Sequence, residues 1–306
     1  MKKICSSYIN CNEEKKVLFE KKGYPILECE KCSHKFTKIA DHDEHLNEIY
    51  SDEYFFAGKE GYPNYLDQQD LLCAHGRRYA KLLSKYTKRG RVLDVGCAAG
   101  FILKGFEQSG WECYGIEPNE TMAAYGREHL HLRIEANNIE NFSTDKKFDL
   151  INIIQVIGHV YDPDQTLQNV SCLLNKNGLV LVESWNRNSL SARILGKRWH
   201  EYSPPSVIHW YSDKTLTELF NYHGFKLIAK GHPVKRISVE HALSFLEAKR
   251  PLRYFKKGIQ AMRRLSGKLT MINPFFDVKW YVFQKNSNCH QLFLAILLLN
   301  IYSSAV

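Results

Sequence analysis

The stretch Arg91–Phe101, RVLDVGCAAGF, constrains the fold of this chain more than any other. Val92, Leu93 and Val95 are strand formers, a glycine-bounded turn follows, and Ile102, Leu103 and Phe106 then recur at helical spacing. A strand, a tight turn and a helix start in immediate succession are how a nucleotide-type ligand site opens in an α/β sheet. A dinucleotide fold spaces its glycines as G-x-G-x-x-G so that the backbone can approach a pyrophosphate, whereas here Gly96 and Gly100 bracket Cys97, Ala98 and Ala99. That spacing offers no phosphate seat. Glu117, in CYGIEPN, ends the next apolar run 21 positions after Gly96, where a carboxylate at a neighbouring strand tip accepts both hydroxyls of a ribose. A nucleoside without phosphates fits both features.

With these residues in place the chain resembles the class I S-adenosylmethionine-dependent methyltransferases, whose first strand reads (V/I)LD(V/I)GCGxG and whose second ends in (G/V)(I/V)(E/D)P(S/N). The likeness continues in order through FDLINIIQVIGHVYDP, LLNKNGLVLVESWN and HWYSDKTLTELFNYHGF, and covers about residues 1–285. Ala99 stands where the family usually has glycine, and alanine there needs only an ordinary φ. The fold implied is a Rossmann-like seven-stranded α/β sheet with helices on both faces and an antiparallel last strand. The implied activity is transfer of the methyl group of S-adenosylmethionine to an oxygen or carbon of a small-molecule acceptor of sugar, quinone or natural-product type.

The apolar pattern places the elements. Leu72, His75, Tyr79, Leu82, Leu83 and Tyr86 recur at three and four, which predicts a helix packed on the sheet before the first strand, with His75 a core or boundary residue. Asn119 caps a helix reaching about His129, and a short strand follows near Leu132–Ile134. Phe148–Ile154 is a nearly continuous apolar run, expected for a parallel strand covered on both faces. A helix from Asp164 to Leu174 and the turn NKNG lead to a strand LVLVES, whose tip carries Glu183, Trp185 and Asn186. The following loop of some 25 residues holds Arg198, Trp199, His200, His209 and Trp210, a mixture suited to gripping an anionic or ring-shaped acceptor or to packing as a lid. A helix capped by Ser212 ends at Gly224, Lys226–Lys230 make a strand, and KWYVFQK is the last one.

The resemblance implies the site. Asp94, Gly96, Cys97, Gly100, Glu117, Pro118, Asn138, Ile139 and Gln155 are the positions expected to hold the cofactor, joined by Tyr54 from an aromatic stretch that runs over it in the family. For Tyr54 and Phe55 a loop pinned by aromatic packing is the other reading. Asn138 takes the place of an aspartate that accepts the adenine amino group; its carbonyl oxygen still accepts, without the charge. QVIGHV reads GH where many relatives read EH, which removes an acid from the methyl-transfer loop and leaves His159 as the candidate general base.

Of nine cysteines, four fall within the first 32 residues. Cys29 and Cys32 form a C-x-x-C knuckle and Cys5 and Cys11 a wider C-x5-C pair, so residues 1–40 read as a zinc-ribbon-like segment with a structural Zn2+, His34 being an alternative ligand to Cys5 or Cys11. The competing reading is a β-hairpin with free thiols. No secretory apolar run follows the two lysines at the start, so a cytoplasmic location is expected. Residues 41–285 form the methyltransferase domain, with 240–276 a basic helical insertion, and 286–306 an apolar tail whose run of about ten is too short to cross a bilayer. Eight Lys or Arg face one acid between Glu247 and Lys268, within a chain of formal net charge +9. Such a run is a solvated face or a peripheral contact with a membrane or polyanion. An RNA-binding or RNA-modifying protein is the alternative reading, disfavoured because no stacking-aromatic RNA motif is present.

Overall fold

The computed structural model describes residues 12–39, 51–52, 55, 65–233, 236–238, 270–272 and 277–286. In chain order its elements are β1 Lys15–Lys21, β2 Tyr24–Cys29, β3 Lys35–Thr37, α1 Gln69–Leu83, β4 Arg91–Val95, α2 Phe101–Glu107, β5 Glu112–Ile116, α3 Glu120–Leu130, β6 Arg133–Glu135, β7 Phe148–Ile154, α4 Pro163–Leu173, β8 Leu174–Trp185, α5 Leu190–Leu195, β9 His209–Trp210, α6 Asp213–Tyr222, β10 Phe225–Gly231, β11 Arg236–Ser238, β12 Thr270–Ile272 and β13 Val278–Lys285.

Seven strands join in the order β10-β13-β8-β7-β4-β5-β6. The pairs β4–β5, β4–β7, β5–β6 and β7–β8 are parallel, and β13 runs antiparallel to both β8 and β10. This is the Rossmann-like sheet expected from the sequence. The order reverses between β4 and β7, so a crevice opens at the carboxyl ends of those two strands, where ligands sit in open α/β sheets.

Alternation along the strands builds two cores. Val92, Leu150, Leu181 and Val282 meet α1, α2 and α3 on one face, through Leu83, Phe106 and Met122. Leu93, Ile151, Val180 and Phe283 meet α4 and α6 on the other, through Leu167, Val170 and Phe220. Each fully buried Leu, Ile or Phe contributes about 1.5–3 kcal/mol. Asp162 caps α4 with Pro163 at its first position, one residue earlier than the sequence suggested, and NKNG bulges within β8 with Asn177 at φ 64°. The caps at Asn119 and Ser212 form as expected.

The N-terminal segment is not a separate appendage. Its strands β1, β2 and β3 continue onto β9, which comes from the long loop after β8, to give a four-stranded sheet in the order β1-β2-β3-β9. Ile26 packs with Trp199, Tyr202, Val207 and Trp210. Cys5 and Cys11 lie outside the described residues. Among the described residues no group of three or more His, Cys, Asp or Glu side chains is placed to hold a metal. Cys29 is buried and Cys32 half-buried. His34 does not turn to them: its Nε2 lies 3.3 Å from His209 Nδ1 and its ring rests on Tyr211.

Residues 232–276 form a compact unit of their own, in which β11 and β12 pair antiparallel. The expected helical insertion lies mostly outside the described residues. Thr270–Ile272, assigned to it from the sequence, form a strand instead, as the β-branched Thr270 and Ile272 favour. The apolar tail after residue 286 lies outside the described residues. Among the described residues no helix is long and apolar enough to cross a membrane.

Candidate active site

The bend after β4 has the shape its sequence demands. Gly96, Ala98 and Gly100 sit at positive φ, 64°, 49° and 80°, while Ala99 does not. A Cβ on Gly96 would stand 2.6 Å from Val156 Cγ2, so this glycine lets the loop after β7 close on the bend. The N–H groups of Gly96 and Cys97 both donate to the Ile116 carbonyl, at 2.9 and 3.1 Å, which fastens the bend to the tip of β5.

Glu117 stands beside it. The carboxylate is buried and accepts the Ala98 N–H at 2.8 Å on Oε2 and the Asn119 N–H at 3.0 Å on Oε1. Each oxygen keeps a second lone pair for a ligand hydroxyl. Burial raises its pKa to about 7, against the pull of those two N–H donors. Asp94, one strand in, is raised to about 8 by burial; the facing Asn152 amide opposes the shift and Glu117 adds to it. Asp94 and the buried Asn152 are register partners on β4 and β7.

Other expected residues are placed differently. The Cys97 thiol is buried in the core beneath the bend, near Gly115, with its pKa pushed far up by burial. Ile139 packs with Val95 and Ile116 in the core. Asn138 Oδ1 accepts the Asn141 N–H at 2.8 Å, so this oxygen already caps a turn. Pro118 is half-buried between Glu117 and the cap Asn119. Tyr54 lies outside the described residues. Its neighbour Phe55 is buried against Tyr65, which stacks on Phe101 at the start of α2. Asp52 accepts from Asn119 Nδ2 at 2.9 Å and Thr121 Oγ1 at 3.2 Å, tying this segment to the start of α3.

His159 is half-buried in the loop after β7. Its Nδ1 is 2.8 Å from the Ser206 carbonyl, which only accepts, so Nδ1 carries the proton and Nε2 is the basic atom. Burial lowers its pKa and the Ser206 bond partly offsets this, which keeps the ring neutral and able to take a proton at neutral pH. Gly158 O accepts from Ile208 and His209, binding the loop to β9.

Sequence reasoning missed a buried polar knot at the tips of β7 and β8. Gln155 holds φ 61°, strained for a residue with a side chain, and Glu183 clamps it twice: Gln155 N donates to the Glu183 carbonyl at 2.9 Å and Gln155 Nε2 to Oε1 at 2.7 Å. Glu183 Oε2 accepts from the Tyr79 hydroxyl and from His75 Nε2 at 2.8 Å. Arg78 Nη2 lies 3.2 Å from His75 Nδ1; because a guanidinium only donates, Nδ1 accepts there while Nε2 faces Glu183. The visible signal was His75 and Tyr79 four apart on one helix face, but the sequence could not say which strand tip they meet.

A cleft of about 380 Å3 lined by Arg89, Arg91, Glu112, Lys147 and Asp149 opens at the amino ends of β4, β5 and β7, away from the bend. Within it Arg91 pairs with Glu112 at 3.0 Å and Lys147 donates to the Cys172 carbonyl, and it lies at the wrong edge for ligand chemistry in this kind of sheet.

Comparison with known proteins agrees with this fold. A family profile described as a methyltransferase domain matches residues 65–230. The ubiquinone biosynthesis O-methyltransferase of Rhodopseudomonas palustris strain HaA2 is 31% identical over 169 residues, 52% of this chain and 66% of that protein. The protein of the same name from Pasteurella multocida is 27% identical over 189 residues, covering 51% of this chain and 78% of its own length. The chain thus spans just under two thirds of the Rhodopseudomonas relative. Among solved structures, a SAM-dependent methyltransferase of Thermotoga maritima aligns with a TM-score of 0.52 at 18% identity, over 80% of this chain and 100% of that one. One of Archaeoglobus fulgidus aligns with a TM-score of 0.51 at 20% identity, over 76% and 100%. These likenesses show the fold. The chain belongs to the methyltransferase-domain family.

Proposed function

We propose that this protein is an S-adenosylmethionine-dependent methyltransferase acting on an oxygen of a small-molecule acceptor, a ring hydroxyl of the quinone-precursor type. The observation that carries the reading is the Glu117 carboxylate held against the glycine bend by the Ala98 N–H, with lone pairs left for two ribose hydroxyls. The site fits the group, because the N–H groups of Gly96, Cys97, Ala98 and Gly100 are all engaged within the protein and none of them awaits a phosphate. When bound, S-adenosylmethionine supplies the methyl carbon for an in-line displacement at its sulfonium.

The chain's part is alignment and proton removal. Glu117 fixes the ribose, the Gly96–Gly100 bend and Asp94 border the amino-acid end, and the Asn138 and Ile139 segment closes beside the adenine. Gln155, held by Glu183, sets the path of the loop that carries His159. His159 accepts the acceptor hydroxyl's proton on Nε2, with Nδ1 steadied by Ser206. The O-methyltransferase names of the relatives support oxygen as the acceptor atom.

Calorimetry with S-adenosylmethionine, S-adenosylhomocysteine and NAD tests the assignment. The first two bind and NAD does not; Glu117→Ala weakens both by about 10- to 100-fold, the loss of two hydrogen bonds to a charged acceptor. Binding of NAD alone overturns it. A structural zinc on Cys5, Cys11, Cys29 and Cys32 is a separate proposal, supported by the tight turn in which the Ser33 N–H donates to the Cys29 carbonyl at 2.8 Å. Metal analysis of the purified chain should return close to one zinc, lost in Cys32→Ser; a metal-free wild type refutes it.

A further inference from the structure

The most exposed large apolar side chains among the described residues are Leu190 and Ile194, at 71% and 74%. They stand four apart on one face of the short helix α5, and a single exposed leucine would need no explanation where a contiguous pair does. The opposite side of α5 is fastened down. Ala192 is buried with Ile26, Trp199 and Tyr202, Leu195 packs on the same cluster, and Ser189 caps the helix through the Ala192 N–H at 3.2 Å. The outward pair is therefore a fixed feature of the surface and not a frayed end.

Charge tells what fits it. Arg193, Lys197 and Arg198 are exposed around the pair, and among the described residues none of them forms an ion pair. No acidic residue occurs between Glu183 and Glu201, and Glu201 is engaged with His200 at 3.4 Å. Two apolar side chains pointing outward within a cationic rim are the arrangement that seats on the headgroup layer of an anionic bilayer, with the apolar tips among the upper acyl carbons and the cations at the phosphates.

We propose that α5 is a peripheral docking surface for an anionic lipid bilayer. The helix follows directly on the tip of β8, at the carboxyl edge of the sheet. On the reading of that edge given above, docking turns the acceptor side toward the lipid.

The experiment is co-sedimentation of the full chain with phosphatidylcholine vesicles made with and without phosphatidylglycerol. Wild type binds the anionic vesicles, and binding falls as salt rises. Leu190→Ser with Ile194→Ser lowers partitioning about tenfold or more while S-adenosylhomocysteine binding, measured on the same preparation, is unchanged. Arg193→Gln with Lys197→Gln and Arg198→Gln removes the preference for anionic over neutral vesicles. Wild type that stays in the supernatant overturns the proposal, as does binding undiminished by the serine pair, which would place the contact elsewhere on the chain. A dimer seen by light scattering and dissolved by the serine pair, without vesicle binding, overturns it in favour of self-association. Failure of S-adenosylhomocysteine to bind wild type would refute the methyltransferase reading and leave the vesicle result standing by itself.

Discussion

Two carboxyl groups at the bend, Glu117 and Asp94, titrate far from where free side chains do, and burial is the main cause for both. Their folded pKa values, about 7 and about 8, lie above the ordinary values of 4.5 and 3.8, so between those limits the native state binds more protons than the unfolded one. Stability of the ligand-free protein therefore falls as pH rises, beginning near the unfolded values and ending once pH exceeds about 8. Ligand affinity runs the other way, because Glu117 must be ionised to accept both ribose hydroxyls. We expect S-adenosylhomocysteine to bind more tightly as pH is raised from 6 through about 7 and to level off above it, a trend flattened in Glu117→Gln. Thermal melts and calorimetry over one pH series check the opposed slopes; parallel slopes would refute the assignment of Glu117.

At the scale of the elements, α1 and α2 cross at close range. Gly76 and Gly105 meet where these helices cross: a Cβ on Gly76 would lie 2.1 Å from the Ile102 carbonyl oxygen, and one on Gly105 2.3 Å from the Cys73 carbonyl oxygen. The obstructing atoms are backbone, so neither helix can yield without moving the other. Gly76→Ala, which would gain about 1 kcal/mol in an exposed helix, is expected to destabilise this protein by about 2–4 kcal/mol in urea unfolding. The crossing also matters to the site, because α1 carries His75 and Tyr79 to Glu183 while α2 starts at the bend. A shift there moves the clamp on Gln155 relative to Gly96.

At the scale of the whole molecule, the N-terminal strands brace the loop after β8. Through β3 and β9 they share a sheet with the loop after β8, and His34 reaches His209, whose N–H binds the loop of His159 through Gly158. Removing residues 1–38 would strip the edge of β9 and uncover Trp199, Tyr202 and Trp210. The truncated chain should bind S-adenosylhomocysteine within about threefold of the full chain, since the bend and Glu117 belong to the seven-stranded sheet. It should lose turnover of an added catechol acceptor and bind a hydrophobic dye. Unaltered turnover would mean that the N-terminal strands are a mere appendage.

The succession of strands and helices, the bend and the acid beside it could be read from the chain alone, because each rests on local chemistry: strand formers, glycines in a tight turn, a carboxylate at a fixed offset, caps at Asn119 and Ser212; the seven-stranded sheet itself was implied by the family resemblance, and its strand order came from the structure. The partners of long-range contacts could not. Nothing near Trp210 names β3 as its neighbour, nothing near His75 names Glu183, and the pattern at Cys97 and Ile139 does not tell a residue facing a ligand from one packed beneath it. Those choices depend on which surfaces meet once apolar area is buried and every buried donor has to find an acceptor, and only the tertiary structure resolves that requirement.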